Sequence, residues 1–183
     1  SDRYHPCQAL GDLLTVRETF GTLQDVHVAY VGDCNNVARS LTLACTMLGV
    51  DVTVGCPPDY QFAAEFRQQA KAWADTSGST FRMVNGPAEA VSDAQVVYTD
   101  TWISMGQEEE SEARLQAFQG YRVEESLLRG AAQGAVVMHC LPAYRGQEIA
   151  DDVIEGPRSV VFDQAENRLH AERALLHRMV KHT

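Results

Sequence analysis

Five short apolar runs, separated by stretches that mostly carry a helical pattern, constrain this chain more than anything else in its sequence. The runs are 26–31, 51–55, 80–84, 95–99 and 135–139, and each is rich in valine or other β-formers. They are nearly continuous in apolar residues, where a half-buried strand would alternate apolar with polar. Strands of that kind are covered on both faces, which marks a parallel sheet flanked by helices. Between them come a helical run from Val37 to Leu48 capped by Gly49, a helix from about Tyr60 to Ala74 after Pro57-Pro58, and a short helix near Pro87 to Val91. Glycine just past a helix end, and proline just before a helix start, suit those boundaries. The expected fold class is α/β: a doubly wound, mainly parallel five-stranded sheet with helices on both faces, Rossmann-like in plan.

The ends of the chain read differently. Pro6 to Phe20 has Leu10, Leu13, Leu14 and Phe20 near helical spacing, ahead of the first strand. Asp163 to about Lys181 reads as a long terminal helix, with Leu169, Leu175, Leu176, Met179 and Val180 as its apolar members. An apolar stripe on a terminal helix needs a surface to pack on: the sheet, another domain or another chain. The longest stretch without periodicity runs from Asp100 to Gly120 and includes Glu108-Glu109-Glu110. Irregular segments of that length in a compact domain are functional or unordered. Ligands of a doubly wound sheet bind where chain leaves the carboxyl ends of strands. Three such exits stand out, at 32–36, 100–106 and 139–146.

Composition narrows the class of function without naming one. A net charge of -10 argues against nucleic acid or an anionic membrane as the main partner. The five cysteines are odd in number and contain no CxxC pair, which argues against a disulfide framework or a zinc site and favours a reducing cytoplasm. No apolar run has the length of a membrane span, and Ser1 to Pro6 carry no apolar segment of the signal-peptide kind. A start at Ser1 in place of Met leads us to expect a processed or cut chain.

Each exit admits a bland reading beside a functional one. In Gly32-Asp33-Cys34-Asn35-Asn36, an asparagine either caps the next helix or meets a ligand at the sheet edge. GxGxxG is absent, and no acidic residue closes the second strand, so a dinucleotide site is not expected. Asp100 is a turn cap or a partner for a substrate ammonium, with the Ser104 hydroxyl nearby. Trp102 and Met105 are large apolar residues in an irregular loop, the composition of a flap. Cys140, in His139-Cys140-Leu141-Pro142, is a nucleophile, a hydrogen-bonding group or a buried small residue. His5 and Gln8 open a helix one turn apart and share a face, so both can hydrogen-bond a carbonyl or amide. Glu166-Asn167-Arg168 puts a cation near the start of the terminal helix, suited to phosphate or to a surface ion pair.

In their order and intervals, HPCQ at 5–8, GDCNN at 32–36, DTWISMG at 100–106, HCLP at 139–142 and ENRLH at 166–170 resemble the ornithine carbamoyltransferases. The match covers essentially the whole chain, and DTWISMG and HCLP separate it from the aspartate enzymes, which resemble the family at HPxQ but differ at those two segments. The resemblance implies carbamoyl transfer from carbamoyl phosphate to the δ-amine of L-ornithine, giving L-citrulline and phosphate, as in arginine biosynthesis and the urea cycle. It implies no metal or organic cofactor. Asn36, Asp100, Ser104 and Met105 correspond to the ornithine site, with Asp100 on the α-ammonium. Cys140 and the Leu141 backbone correspond to contacts beside the reacting groups, His5 and Gln8 to carbamoyl contacts, and Arg168 to a charge in the carbamoyl phosphate site. Cys34 departs from the family, which usually has glycine there.

The family's Ser-x-Arg-Thr phosphate loop, and a further arginine upstream of it, lie in an N-terminal domain that these residues do not include. The resemblance therefore implies a division into an interdomain helix at 1–20, an ornithine-binding α/β domain at 21–162, and a C-terminal helix at 163–183 turned toward that missing domain. It implies a homotrimer for the complete enzyme and little or no turnover by the 183 residues alone. The alternative is a non-catalytic amino-acid-binding domain.

Overall fold

The computed structural model describes residues 1–104, 106 and 108–181, with Glu108 in its backbone only. The strands are β1 (His27–Val31), β2 (Asp51–Gly55), β3 (Phe81–Val84), β4 (Val96–Thr99) and β5 (Val136–His139). They form one sheet in the order β3-β2-β1-β4-β5, with every neighbouring pair parallel. The α/β class and five-stranded parallel sheet expected from the valine-rich runs are what the chain adopts. The pleat explains why those runs do not alternate. Val28 and Tyr30 enter one core cluster with Val96, Tyr98 and Met138, while Ala29 and Val31 enter a second with Val97 and Val137. Successive residues face opposite sides, and both sides are roofed, so both must be apolar.

The helices are α1 (Pro6–Phe20), α2 (Asn36–Met47), α3 (Ala64–Ser77), α4 (Pro87–Val91), α5 (Ser111–Ala117), α6 (Glu125–Leu128), α7 (Asp151–Ile154) and α8 (Val161–Lys181). Three boundaries correct the sequence reading. The helix expected from about Tyr60 begins at Ala64, because Pro58–Tyr60 is a single 3-10 turn. In that turn the Tyr60 ring packs on Phe118 with centroids 5.0 Å apart. The stretch from Asp100 to Gly120 is not irregular throughout, since it contains α5. The terminal helix starts at Val161, so Arg168 sits about two turns inside it and not near its N-terminus.

α1 and α8 answer each other's unpaired faces in part. They cross at Gly11, where a Cβ would stand 2.9 Å from the Arg168 Cα. Only glycine lets the two backbones approach this closely. Asn167 donates to Thr15 Oγ1 at 3.1 Å and to Glu18 Oε2 at 2.6 Å across the same seam. Val161, Gln164 and Asn167 of α8 are buried, whereas Phe162, Leu169, Leu176, Met179 and Val180 are exposed. Among the described residues no helix is long and apolar enough to cross a membrane.

β1 is the central strand: the chain builds outward to β3, then returns to lay β4 on the other side of β1. The strand order reverses there, and the crevice at the carboxyl ends of β1 and β4 is the place where such sheets hold ligands.

Candidate active site

The β1 exit turns on Gly32, whose φ of +144° lies in the region that favours glycine. Asn35 then caps α2, its Oδ1 accepting from the Val37 and Ala38 N–H groups at 3.0 and 3.1 Å. That duty fixes the amide, so Nδ2 points across the crevice and donates to Asp100 Oδ2 at 2.7 Å. Capping and site-building are thus the work of one residue, and it is Asn35. Asn36 stands on the first turn of α2 and donates to the Ser1 carbonyl at 2.8 Å. Cys34, the departure from the family's glycine, is buried within the core cluster on that face of the sheet.

Asp100 follows β4 directly and is only 6% exposed. Besides Asn35, it accepts from the Thr101 N–H at 2.8 Å and from the Cys140 thiol at 3.0 Å, both on Oδ1. All three donors are neutral. Among the described residues, no lysine, arginine or histidine forms an ion pair with this carboxylate. A buried carboxylate surrounded by neutral donors is arranged for a cation that comes from elsewhere.

Cys140 leaves β5 and faces Asp100. Burial of the thiol, and then the charge of Asp100, push it well above the usual thiol range. The Cys140 thiol donates to Asp100, an arrangement that favours the thiol over the thiolate that a nucleophile requires. At pH 8, iodoacetamide should label Cys140 at least about tenfold more slowly than free cysteine, as followed by peptide mass mapping. Labelling at the free-cysteine rate would overturn the donor assignment.

His139 braces this exit from below. Its Nδ1 accepts the Leu141 N–H at 2.9 Å, and its Nε2 lies 3.2 Å from Glu148 Oε1. With Nδ1 accepting, the ring proton sits on Nε2 and is donated to Glu148. Leu141 itself has φ +55°, a strained value for a branched side chain, and its N–H is committed to His139. Asp100, His139 and Cys140 each bring a ligand-type atom within 4.8 Å of the others. Both His139 nitrogens are engaged by Leu141 and Glu148, while Cys140 and Asp100 bond to each other.

His5, Gln8 and Arg168 meet where α1 and α8 cross. The His5 N–H donates to Ser40 Oγ at 2.7 Å, fixing the entry to α1. Burial, followed by the charges of Arg168 and the N-terminus, lowers the imidazole from its usual range, which keeps it neutral near pH 7. Gln8 is 2% exposed; it donates to Asp12 Oδ1 at 2.8 Å and accepts from Arg168 Nη1 at 3.4 Å. Arg168 also holds Glu172, its Nε 3.2 Å from the carboxylate.

The flap segment divides. Trp102 is not the free apolar tip expected of a flap, because it is buried and stacks on Phe118 at 5.7 Å. Ser104 is half-buried, and Met105 lies outside the described residues. The residue that ties this segment down is Arg114. It donates to Asp33 Oδ2 at 3.0 Å and to the Trp102 carbonyl at 2.9 Å, with its guanidinium 4.9 Å from the Tyr60 ring centre. Arg114, Asp12, Tyr98 and Gln164 were not legible as site residues. The only signal for Arg114 was a lone arginine amid glutamates.

Residues 24–179 match the family described as aspartate/ornithine carbamoyltransferase, Asp/Orn binding domain. The ornithine carbamoyltransferase of Methanoculleus marisnigri is 51% identical over 180 residues, covering 98% of this chain and 57% of that protein. That of Bacillus subtilis is 48% identical, covering 96% of this chain and 55% of that protein. Among solved structures, ornithine carbamoyltransferase from Pyrococcus furiosus superposes with a TM-score of 0.92 at 50% identity, over 96% of this chain and 56% of that one. The anabolic enzyme of Campylobacter jejuni gives 0.94 at 36% identity, over 100% of this chain and 61% of that one. The chain thus spans a little over half the length of the relatives it matches.

Proposed function

Because this chain belongs to the aspartate/ornithine carbamoyltransferase family, we propose that it supplies the ornithine-binding half of an enzyme that carbamoylates the δ-amine of L-ornithine. The reaction joins that nitrogen to the carbamoyl carbon of carbamoyl phosphate, breaks the bond from that carbon to the phosphate oxygen, and yields L-citrulline and phosphate. The observation that carries the reading is Asp100: a buried carboxylate, ringed by three neutral donors, at the sheet's switch point. Ornithine's α-ammonium is the cation it lacks. An aspartate substrate would bring a second carboxylate toward that end of the site, which ornithine does not.

Asn36, Ser104 and Met105 hold the α-amino-acid end, and Cys140 and Leu141 flank the δ-amine and carbamoyl group. Neutral His5 donates to the carbamoyl oxygen, polarising the carbonyl as negative charge develops on it. Gln8 fixes the carbamoyl amide, and Arg168 adds a positive charge on the phosphate side. Catalysis then rests on alignment and charge stabilisation, with no covalent enzyme intermediate. The phosphate cradle comes from outside these 183 residues, in a carbamoyl-phosphate domain toward which α1 and the exposed face of α8 turn. The complete enzyme is a trimer working in the cytoplasm.

A chimera tests this. The chain is joined to the portion of the Methanoculleus marisnigri enzyme that it does not match, and citrulline formation is measured beside that of the chain alone. The expected result is carbamoyl-phosphate-dependent citrulline from the chimera and none from the chain. Turnover by the chain alone would refute the half-site reading, and a folded but inert chimera would refute the ornithine assignment.

A further inference from the structure

Asp12 touches the site only through Gln8, yet it is fully buried and accepts three hydrogen bonds. Its Oδ1 takes Gln8 Nε2 at 2.8 Å and Gln164 Nε2 at 2.7 Å, and its Oδ2 takes the Tyr98 hydroxyl at 3.2 Å. Gln164 also donates to the Tyr98 oxygen at 3.1 Å, and its own Oε1 accepts the His139 N–H at 2.9 Å. Asp12 is thereby clamped to α8, β4 and, through Gln164, β5.

We infer that Asp12 is a positioning residue that sets which end of the Gln8 amide faces the carbamoyl group, an inference that rests on the carbamoyl-transfer reading. A glutamine amide has two orientations of nearly the same shape, differing only in the exchange of NH2 and oxygen. An acceptor beneath it permits one of them. With Nε2 drawn down to Asp12 Oδ1, Oε1 must face Arg168, which reaches it at 3.4 Å. Oε1 on that side is an acceptor for the carbamoyl NH2, complementing His5 as donor to the carbamoyl oxygen. The flipped amide would set donors against the guanidinium and against the carbamoyl NH2.

Burial raises Asp12 to about 7, against the pull of its Gln8, Gln164 and Tyr98 donors. The clamp survives protonation if the Tyr98 hydroxyl turns its proton toward Cys140, so that a proton on Oδ2 points at the Tyr98 oxygen and leaves Oδ1 an acceptor. Asparagine at position 12 removes that guarantee, since its own NH2 competes for the place of Oδ1.

The test uses the chimera, with Asp12→Asn, Gln8→Met and the double substitution. Asp12→Asn should raise KM for carbamoyl phosphate at least tenfold while KM for ornithine stays within twofold. Gln8→Met should give a similar rise. The double variant should show no further rise, because Asp12 acts through Gln8. An Asp12→Asn enzyme with an unchanged KM for carbamoyl phosphate, or effects that multiply in the double variant, would overturn the inference. If Asp12→Asn does not fold, 15N-glutamine labelling of the unsubstituted protein decides the matter. One Gln8 Nε2 proton should be protected from solvent exchange, and free exchange of both would defeat the proposal. Failure of the parent reading looks different: the unsubstituted chimera makes no citrulline at all, and the exchange measurement still reports on the clamp.

Discussion

Asp100→Asn should lower kcat/KM for ornithine by about a hundred- to a thousandfold, the loss that follows when one member of a desolvated charge pair is removed. The substitution keeps size and shape but deletes the charge proposed to receive the α-ammonium. It also forces an NH2 against one of three existing donors, Asn35, Thr101 or Cys140. KM for carbamoyl phosphate should move little, because His5, Gln8 and Arg168 are held by α1 and α8 instead. Steady-state kinetics on the chimera, varying each substrate in turn, separates the two. An ornithine KM unchanged by Asp100→Asn would remove Asp100 from the ornithine site.

The largest stability effect is expected at Arg114. Its side chain and that of Asp33 are 7% and 8% exposed, so the pair is buried on both sides. Arg114→Met leaves the Asp33 charge without its counterion, a change that typically costs about 3–5 kcal/mol, or roughly 10 °C of Tm in a domain of this size. Glu110, the second carboxylate on Arg114, is 65% exposed and adds little. The loss should depend on pH in a definite direction. Burial already raises Asp33 above the ordinary carboxyl range, with Arg114 pulling it back down. Without the arginine its folded-state value rises further, so the folded state holds a proton that the unfolded state releases. A raised carboxyl costs stability above its folded value, and that cost fades as pH falls toward the unfolded value. The Tm gap between wild type and Arg114→Met should therefore be wider at pH 8 than at pH 5. A gap independent of pH would make Arg114 a packing residue only.

The sheet was legible because it is encoded in contiguous residues. Every strand in the structure falls within one residue of its valine-rich run, since both faces of β1 and β4 are roofed. The site was legible only where its residues cluster at strand exits. Asp100 and Cys140 were readable because each ends an apolar run. The partnership of Asn35 with Asp100 spans 65 residues, and no periodicity predicts it. α5 escaped notice because its buried residue is Arg114, so it has no apolar stripe to read. Arg168 was expected near a helix start because its helix was begun at Asp163. Two more residues, Val161 and Phe162, belong to that helix, and Val161 is fully buried. The clamp of Asp12, Tyr98 and Gln164 draws on three elements far apart in the chain, and a polar residue on an apolar helix face gives no hint of its partners.

The central position of β1 also has a kinetic meaning. Its pairing with β2 joins His27 to Asp51, but its pairing with β4 joins Val28 to Val96 across a far longer loop. Closing long loops is slow, because chain entropy must be lost before the new contacts compensate for it. The first three strands can thus assemble while no site yet exists. Asn35 waits, capping its helix, until β4 docks and delivers Asp100, and β5 must follow before Cys140 arrives. In folding, the Asn35–Asp100–Cys140 cluster is expected to form late, because it needs both β4 and β5 in place. Separation of β4 from β1 would break the Asn35–Asp100 contact while leaving β1, β2 and β3 paired.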